Sequence, residues 1–433
     1  MSSQEKLIRE IVNNNLCSGC GTCAGVCAKH CITFDCANDY TPVLDPTDCV
    51  DCGLCYNCCP GKAFQFGKLK GNAVKWDDSI GPYTGFIYSK STDEKLCKNG
   101  ASGGTVSAIF KYLLEKKLVD KVVCVKKENE NFNVILTDNP EELYNTQGSK
   151  YITIPLNTAL REIIKNKYRV AVVGTSCQLE GIYKAGEALP VINQLIKYKI
   201  GLFCGFVQTS AAITAIRNYM NVEETDWEFN GWRCGEYPGY VHFTNKHTGQ
   251  QKSLIIYEAY NIAIPFYSTE RCFMCPDGTN MCADISLGDV HSRGNNQNCG
   301  IVRTAIGEKL INDMVNDGYL LVKELSLEDA MKSTVGSVAY LKGMRALLYI
   351  KTNKKAVPEY DIKFEPEKYK KFLALQNRVQ AGYYRLLRKK CVLKFCEKHP
   401  ALQMKVGRYA YMYPAYSPIF KVFKIIKKIL KGN

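Results

Sequence analysis

"LCSGCGTCAGVCAKHC", residues 16–31, puts five cysteines into sixteen positions, and the same spacing returns 32 residues later. Cys17, Cys20, Cys23 and Cys27 map onto Cys49, Cys52, Cys55 and Cys59; Gly21 maps onto Gly53, and Ile32 and Phe34 onto Phe64 and Phe66. Because apolar residues recur along with the cysteines, the stretch reads as a duplicated unit with its own small core. Each copy is C-x2-C-x2-C-x3-C, and Pro60 follows the second. A cubane iron–sulfur cluster needs four converging thiolates, of which a tight loop with two-residue gaps supplies three. Zinc and inert thiols are the rival readings, but zinc sites usually pair two C-x2-C units.

The chain has 433 residues and 22 cysteines, eleven of them at or before Cys59. Such local enrichment suits ligand sites better than a disulfide scaffold, particularly in a reducing cytosol. The opening "MSSQEKLIREIVNNN" lacks the apolar core of a signal peptide, and no 18 apolar residues run together, so export and membrane spanning are not expected. The formal net charge of +15 is unevenly placed: from Lys368 onward there are 17 Lys and Arg against the single acid Glu397. No recognised nucleic-acid motif accompanies this charge, and nucleic acid is not an expected partner.

"SPIFKVFKIIKKILKGN" ends the chain. As a helix it would carry Lys421, Lys424, Lys428 and Lys431 on one face, opposite Ile419, Val422, Phe423, Ile426, Ile429 and Leu430. Such a helix suits an anionic membrane interface or the chain's own domain. The expectation is a cytoplasmic protein with peripheral contact at the inner membrane face.

Beyond a Gly-, Pro- and charge-containing connector at 67–83, strand-like and helix-like stretches alternate. "GFIYS", "DKVVCV", "YRVAVVG", "KIGLFC", "KSLIIY" and "ADISLGD" read as strands; Thr105–Leu118, "SAAITAIRNYM" and the segment after "VRT" read as helices. The pattern argues for an α/β domain. If its strands are parallel, Cys177 of "VVGTSCQ" and Cys204 of "IGLFCG" emerge at one carboxyl edge, where Cys272 and Cys275 of "RCFMC" are available to join them. A core role for Cys204 and a zinc role for Cys272 and Cys275 remain open. The loop "KNGASGG" runs into a helix, an arrangement that suits either a phosphate or a tight strand-to-helix turn.

Residues 1–66 resemble the bacterial two-[4Fe–4S] ferredoxin domain, departing from it at Ala28, where a proline is usual. In that fold the fourth ligand comes from the opposite motif, which implies one cluster on Cys17, Cys20, Cys23 and Cys59 and another on Cys49, Cys52, Cys55 and Cys27. Cys58 is the competitor of Cys59, while Cys31 and Cys36 are left over as buried thiols.

The succession "NGASGGTVSAI", "GSKYI", "VVGTSCQ", "LFCG", "RCFMC", "CADISLGDV" and "VRTAIG" is similar to the family formed by the β subunits of coenzyme F420-dependent hydrogenases and dehydrogenases, which includes 7-hydroxymethyl chlorophyll a reductase. The likeness spans roughly residues 1–340. It implies a flavin domain at 84–340 that exchanges electrons with iron–sulfur clusters on one side and a hydride donor or acceptor on the other, and a redox partner protein. Carried over, Asn99, Gly100, Ala101, Ser102, Gly103 and Gly104 would lie against FAD. Cys177, Cys204, Cys272 and Cys275 would hold a third [4Fe–4S] cluster, and Lys150, Tyr151, Thr175 and Asp289 would line the flavin or substrate site. Catalytic residues, Cys282 and His291 receive no role. The expected architecture is an α+β ferredoxin-like two-cluster domain, an α/β flavin-binding domain and a basic helical region at 341–433.

Overall fold

The structure, a computed structural model, describes residues 2–35, 41–290, 296–352, 356–362 and 371–412. Cys36, His291 and the terminal stretch 418–433 lie outside them.

An eight-stranded mixed sheet forms the body, in the order Leu320–Leu325, Gly85–Ser91, Asn298–Val302, Ile285–Asp289, Ile196–Leu202, Val170–Gly174, Lys121–Glu128 and Asn131–Thr137. The last four strands before the far edge, from Ile285–Asp289 to Lys121–Glu128, are parallel; pairings outside them are antiparallel. Val170, Ala171 and Val172 are buried in succession, as expected where a parallel strand is covered on both faces. Every strand read from sequence is present except "KSLIIY": Gln251–Ile255 is a strand, but Ile256 opens the helix Ile256–Tyr267. That strand belongs to a separate antiparallel sheet of Trp227–Cys234, Tyr240–Asn245 and Gln251–Ile255.

The N-terminal repeat is visible in the backbone. Gly21 and Gly53 take left-handed conformations, with φ of 88° and 79°, and each starts a one-turn helix, Thr22–Gly25 and Leu54–Asn57. A side chain is costly there, which accounts for glycine at both places. The copies then diverge. Ile32–Asp35 pairs antiparallel with Thr41–Leu44, whereas Ala63–Phe64 pairs parallel with Glu359–Tyr360.

The unit is docked on the sheet domain. Arg161 donates to the carbonyls of Ala24 (3.0 Å) and Ile32 (3.2 Å), and Lys184 donates to those of Cys59 (2.8 Å) and Ala63 (2.9 Å). Residues 66–83 are more than a connector: Phe66–Asn72 is a 3-10 helix, Lys75–Asp77 pairs with Gly81–Tyr83, and Phe66 and Ile80 are fully buried.

Helices Thr334–Thr352, Lys371–Leu387, Lys390–Glu397 and Pro400–Met412 follow. Tyr349, Tyr384, Leu387, Val392, Cys396, Met404, Val406 and Ala410 bury their side chains in a core shared with Ile256–Tyr267. Among the described residues as far as Met412, therefore, these helices bury apolar side chains on the chain's own body. Among the described residues no helix is long and apolar enough to cross a membrane.

Candidate functional site

The eight cysteines of the repeat fall into two groups. Burial pushes Cys17 up to about 12, with Cys59 and then Cys20 adding their negative charge. Cys23 is raised well above its ordinary value by burial and then by Cys17, Cys20, Cys59 and Cys55. One cavity is lined by Cys17, Cys20, Cys23 and Cys59, between Leu7, Ile11, Phe34 and Pro60. Around Cys55, raised to about 12 mainly by burial, the neighbouring thiols are Cys52, Cys27 and Cys49. The first group is largely buried, whereas Cys52 is exposed. Cys58 is fully buried and packs instead with Phe64, Phe66 and Val26 in the core; Cys31 is buried as well.

The sheet-edge cysteines form a third group. Strands Val170–Gly174 and Ile196–Leu202 are parallel, so Cys177 and Cys204 leave the same edge. Cys272 lies on the short helix Glu270–Phe273, and Cys275 follows it. Burial raises Cys177 well above its ordinary value, followed by the charges of Cys20, Cys275 and Cys204. The Cys272 sulfur accepts from Thr269 Oγ1 (3.0 Å) and the Val207 N–H (3.5 Å). Among the described residues no three His, Cys, Asp or Glu side chains close on a single ion. Groups of four soft, crowded thiols suit a larger polynuclear iron–sulfur core, whose positive charge offsets the repulsion that burial imposes on bare thiolates. Cys282 is buried in a core cluster with Met281 and Ala283.

The glycine-rich loop reaches the same edge, since Gly85–Ser91 runs parallel to Ile285–Asp289 through the strand between them. Gly103 and Gly104, with φ of 65° and 69°, turn the chain into helix Thr105–Glu115. Most loop N–H groups already have acceptors: Gly100 donates to Leu96 O, Gly103 to Asn296 Oδ1 (2.8 Å), Gly104 to Ser102 O and Thr105 to Asn298 Oδ1 (3.3 Å). Among the described residues, those of Ala101 and Ser102 have no acceptor outside the loop's own turns.

Ser102 Oγ donates to Asp289 Oδ1 (2.7 Å) and accepts from Asn298 Nδ2 (2.9 Å). Arg233, whose side chain is 5% exposed, pairs with Asp289 and reaches the Ala101 carbonyl (3.4 Å) from the antiparallel sheet. Tyr151 stands edge-on to Trp232 (6.0 Å) and Tyr260 (5.8 Å), and burial holds the Tyr260 phenol well above its ordinary value, as a proton donor.

Sequence reading missed Arg233, Tyr260 and Asn298, which belong to no motif; an arginine inside the strand "WEFNGWRC" was the available signal. Three further residues expected at the site have these local partners. Lys150 turns its ammonium onto the carbonyls of Thr146, Gln147 (2.9 Å) and Gly148 (3.0 Å), and burial lowers it to about 8. Thr175 caps helix Ser176–Ala188 beside Cys177, with Oγ1 and Sγ 3.5 Å apart. Asn99 ends helix Glu94–Asn99.

Residues 86–161 match the model for the N-terminal part of the coenzyme F420 hydrogenase/dehydrogenase β subunit, and residues 167–328 match its C-terminal part. A component of the F(420)H(2) dehydrogenase of Methanosarcina mazei is 28% identical, over 73% of this chain and 87% of its own. The β subunit of the coenzyme F420 hydrogenase of Methanococcus voltae is 29% identical, over 57% and 86%. A chain of the F420-reducing [NiFe] hydrogenase complex from Methanosarcina barkeri shares the fold, with a TM-score of 0.54 at 20% identity, covering 65% of this chain and 96% of that one. Sheet, thiol groups and comparisons together define an electron-transfer oxidoreductase. The chain belongs to the family of coenzyme F420 hydrogenase/dehydrogenase β subunits.

Proposed function

We propose that the chain is an iron–sulfur flavoprotein that moves electrons between three [4Fe–4S] clusters and FAD, and from FAD to or from a hydride-exchanging small molecule. Coenzyme F420, named in its relatives, is the first candidate; a membrane-linked glycan or lipid precursor is the second. The observation carrying this reading is the succession of thiol groups. The exposed Cys52 group meets the buried group where Cys55 neighbours Cys23, and that group meets the sheet-edge group where Cys20 neighbours Cys177.

When bound, the clusters would supply one-electron steps and the flavin a two-electron hydride step. The chain's own residues orient and insulate. Ser102, Asp289 and Arg233 hold the loop in place, the Ala101 and Ser102 N–H groups face an anionic portion of the cofactor, and Tyr260 keeps its proton. Residues 418–433 supply peripheral membrane contact in this reading, on the strength of their sequence alone.

The test is anaerobic purification with iron and flavin quantified. About twelve irons per chain and stoichiometric FAD are expected. Iron-loaded protein without flavin would overturn the enzyme reading in favour of an electron carrier or adaptor serving a partner, and a firm count of eight irons would remove the third cluster.

A further inference from the structure

Helix Thr334–Thr352 turns one stripe inward. Val335, Ala339, Lys342, Ala346 and Tyr349 follow one another at helical spacing and are all buried. Four are apolar; the middle one is a lysine, 6% exposed. Its Nζ donates to the Gly205 carbonyl (2.7 Å), next to Cys204, and lies 5.8 Å from the Phe206 ring centre. The stem of the side chain packs against Gly278, where an added Cβ would come within 3.1 Å of Lys342 Cβ. The Gly278 carbonyl in turn accepts from the Cys204 N–H (2.9 Å). The ammonium is thus lodged between the segments that carry Cys204 and Cys275. All four sheet-edge thiols, Cys177, Cys204, Cys272 and Cys275, act on its charge.

Among the described residues no carboxylate forms an ion pair with Lys342. Asp277 is committed to the N–H groups of Thr279, Asn280 and Met281, and neither oxygen of the buried Glu180 meets a hydrogen-bond partner. A buried cation without a contacting counter-charge is strongly unfavourable, so the pocket is built for an anion. A cubane held by four thiolates carries net negative charge, and one more negative charge when reduced. The group around Cys49 and Cys52 has the opposite setting: Asp45, Asp48 and Asp51 are exposed beside it.

We propose that Lys342 sets the reduction potential of the sheet-edge site, making it the place where electrons arriving through the repeat come to rest. The inference depends on reading Cys177, Cys204, Cys272 and Cys275 as cluster ligands. In the step concerned, one electron leaves the site on Cys17, Cys20, Cys23 and Cys59 and one arrives at the sheet edge. No bond or proton changes place, and the charge gained faces the ammonium. Lys342 is a positioning residue for charge and touches no substrate.

The test is an EPR-monitored redox titration of the full-length, anaerobically purified protein, comparing wild type with Lys342→Met, Lys342→Gln and Lys342→Arg. Met and Gln should each lower the midpoint potential of one cluster by a tenfold change in its reduction equilibrium or more, about 59 mV for a one-electron couple. Arg should hold it near the wild-type value, and the other two clusters should not move. An iron count of eight in the wild type would overturn the cluster reading and this inference with it. Twelve irons with an unmoved potential in Lys342→Met would overturn the inference alone. Loss of the third cluster's iron in both Met and Gln variants, with retention in Arg, would make Lys342 structural and also overturn it.

Discussion

Arg233 ties three parts of the chain together from a strand that no cofactor motif marks: it pairs with Asp289 at a strand end, reaches the loop at Ala101 and is steadied by the Pro238 carbonyl, to which Nε donates at 3.0 Å. Replacing it with glutamine leaves Asp289, a quarter exposed, without its cation. The cost should be about 3 kcal/mol, the low end for breaking a buried pair. On the proposed function, FAD content should fall and the flavin should dissociate more readily, as measured by fluorescence on dilution; unchanged flavin retention would remove Arg233 from the proposed site. A second substitution separates the two repeat clusters. Cys59→Ala should damage the cluster held by Cys17, Cys20 and Cys23, read by its EPR signal, and damage confined to the other cluster would mean the ligands are not crossed between motifs. At this scale legibility follows spacing. Cysteines three and four positions apart announce themselves, whereas Arg233 and Lys342 act through tertiary neighbours that a one-dimensional pattern does not contain.

Two glycines at equivalent places in the repeat make a comparison between elements. Both start a helix at positive φ, so alanine at either should cost about 1–2 kcal/mol in backbone strain. Their surroundings differ. A Cβ on Gly21 would come within 2.6 Å of the Pro155 carbonyl oxygen, while one on Gly53 would meet nothing nearer than Asn57 Nδ2 at 3.3 Å. Gly21→Ala should therefore destabilise the protein more than Gly53→Ala and expose the N-terminal unit to limited proteolysis, a difference that thermal unfolding and protease sensitivity can measure. Equal effects would deny the docking contact. The repeat itself was legible because it repeats. The antiparallel sheet at 227–255 was not, because half-buried strands such as Trp227–Cys234 carry bulges that break their alternation. The strand-to-helix switch at Ile256 was hidden in the apolar run "LIIY", which either element can bury.

For the molecule as a whole, the cationic C-terminal region divides in two. Among the described residues up to Met412, apolar side chains pack into the core, whereas a membrane role for residues 418–433 rests on their sequence alone. Deleting 418–433 should release the protein from anionic liposomes in a flotation assay with iron and flavin retained, and binding that persists would place the contact elsewhere. Charge distribution was legible in the sequence; how far the helices fold back on the body was not, since docking depends on the shape of the surface at Ile256–Tyr267.

The N-terminal unit is seated on the body, not hung from it. Arg271 is 1% exposed and donates to the Pro60 carbonyl (3.2 Å), while the Gly21 turn rests on Pro155, so the repeat and the sheet domain meet through buried contacts. If the proposed clusters are present, internal electron passage would work as a wire and not as a ferry, its rate fixed by distance through packed protein and indifferent to viscosity and salt. On the proposed function, diffusion would enter only at the two ends, with a partner arriving beside the exposed Cys52 and a substrate at the loop.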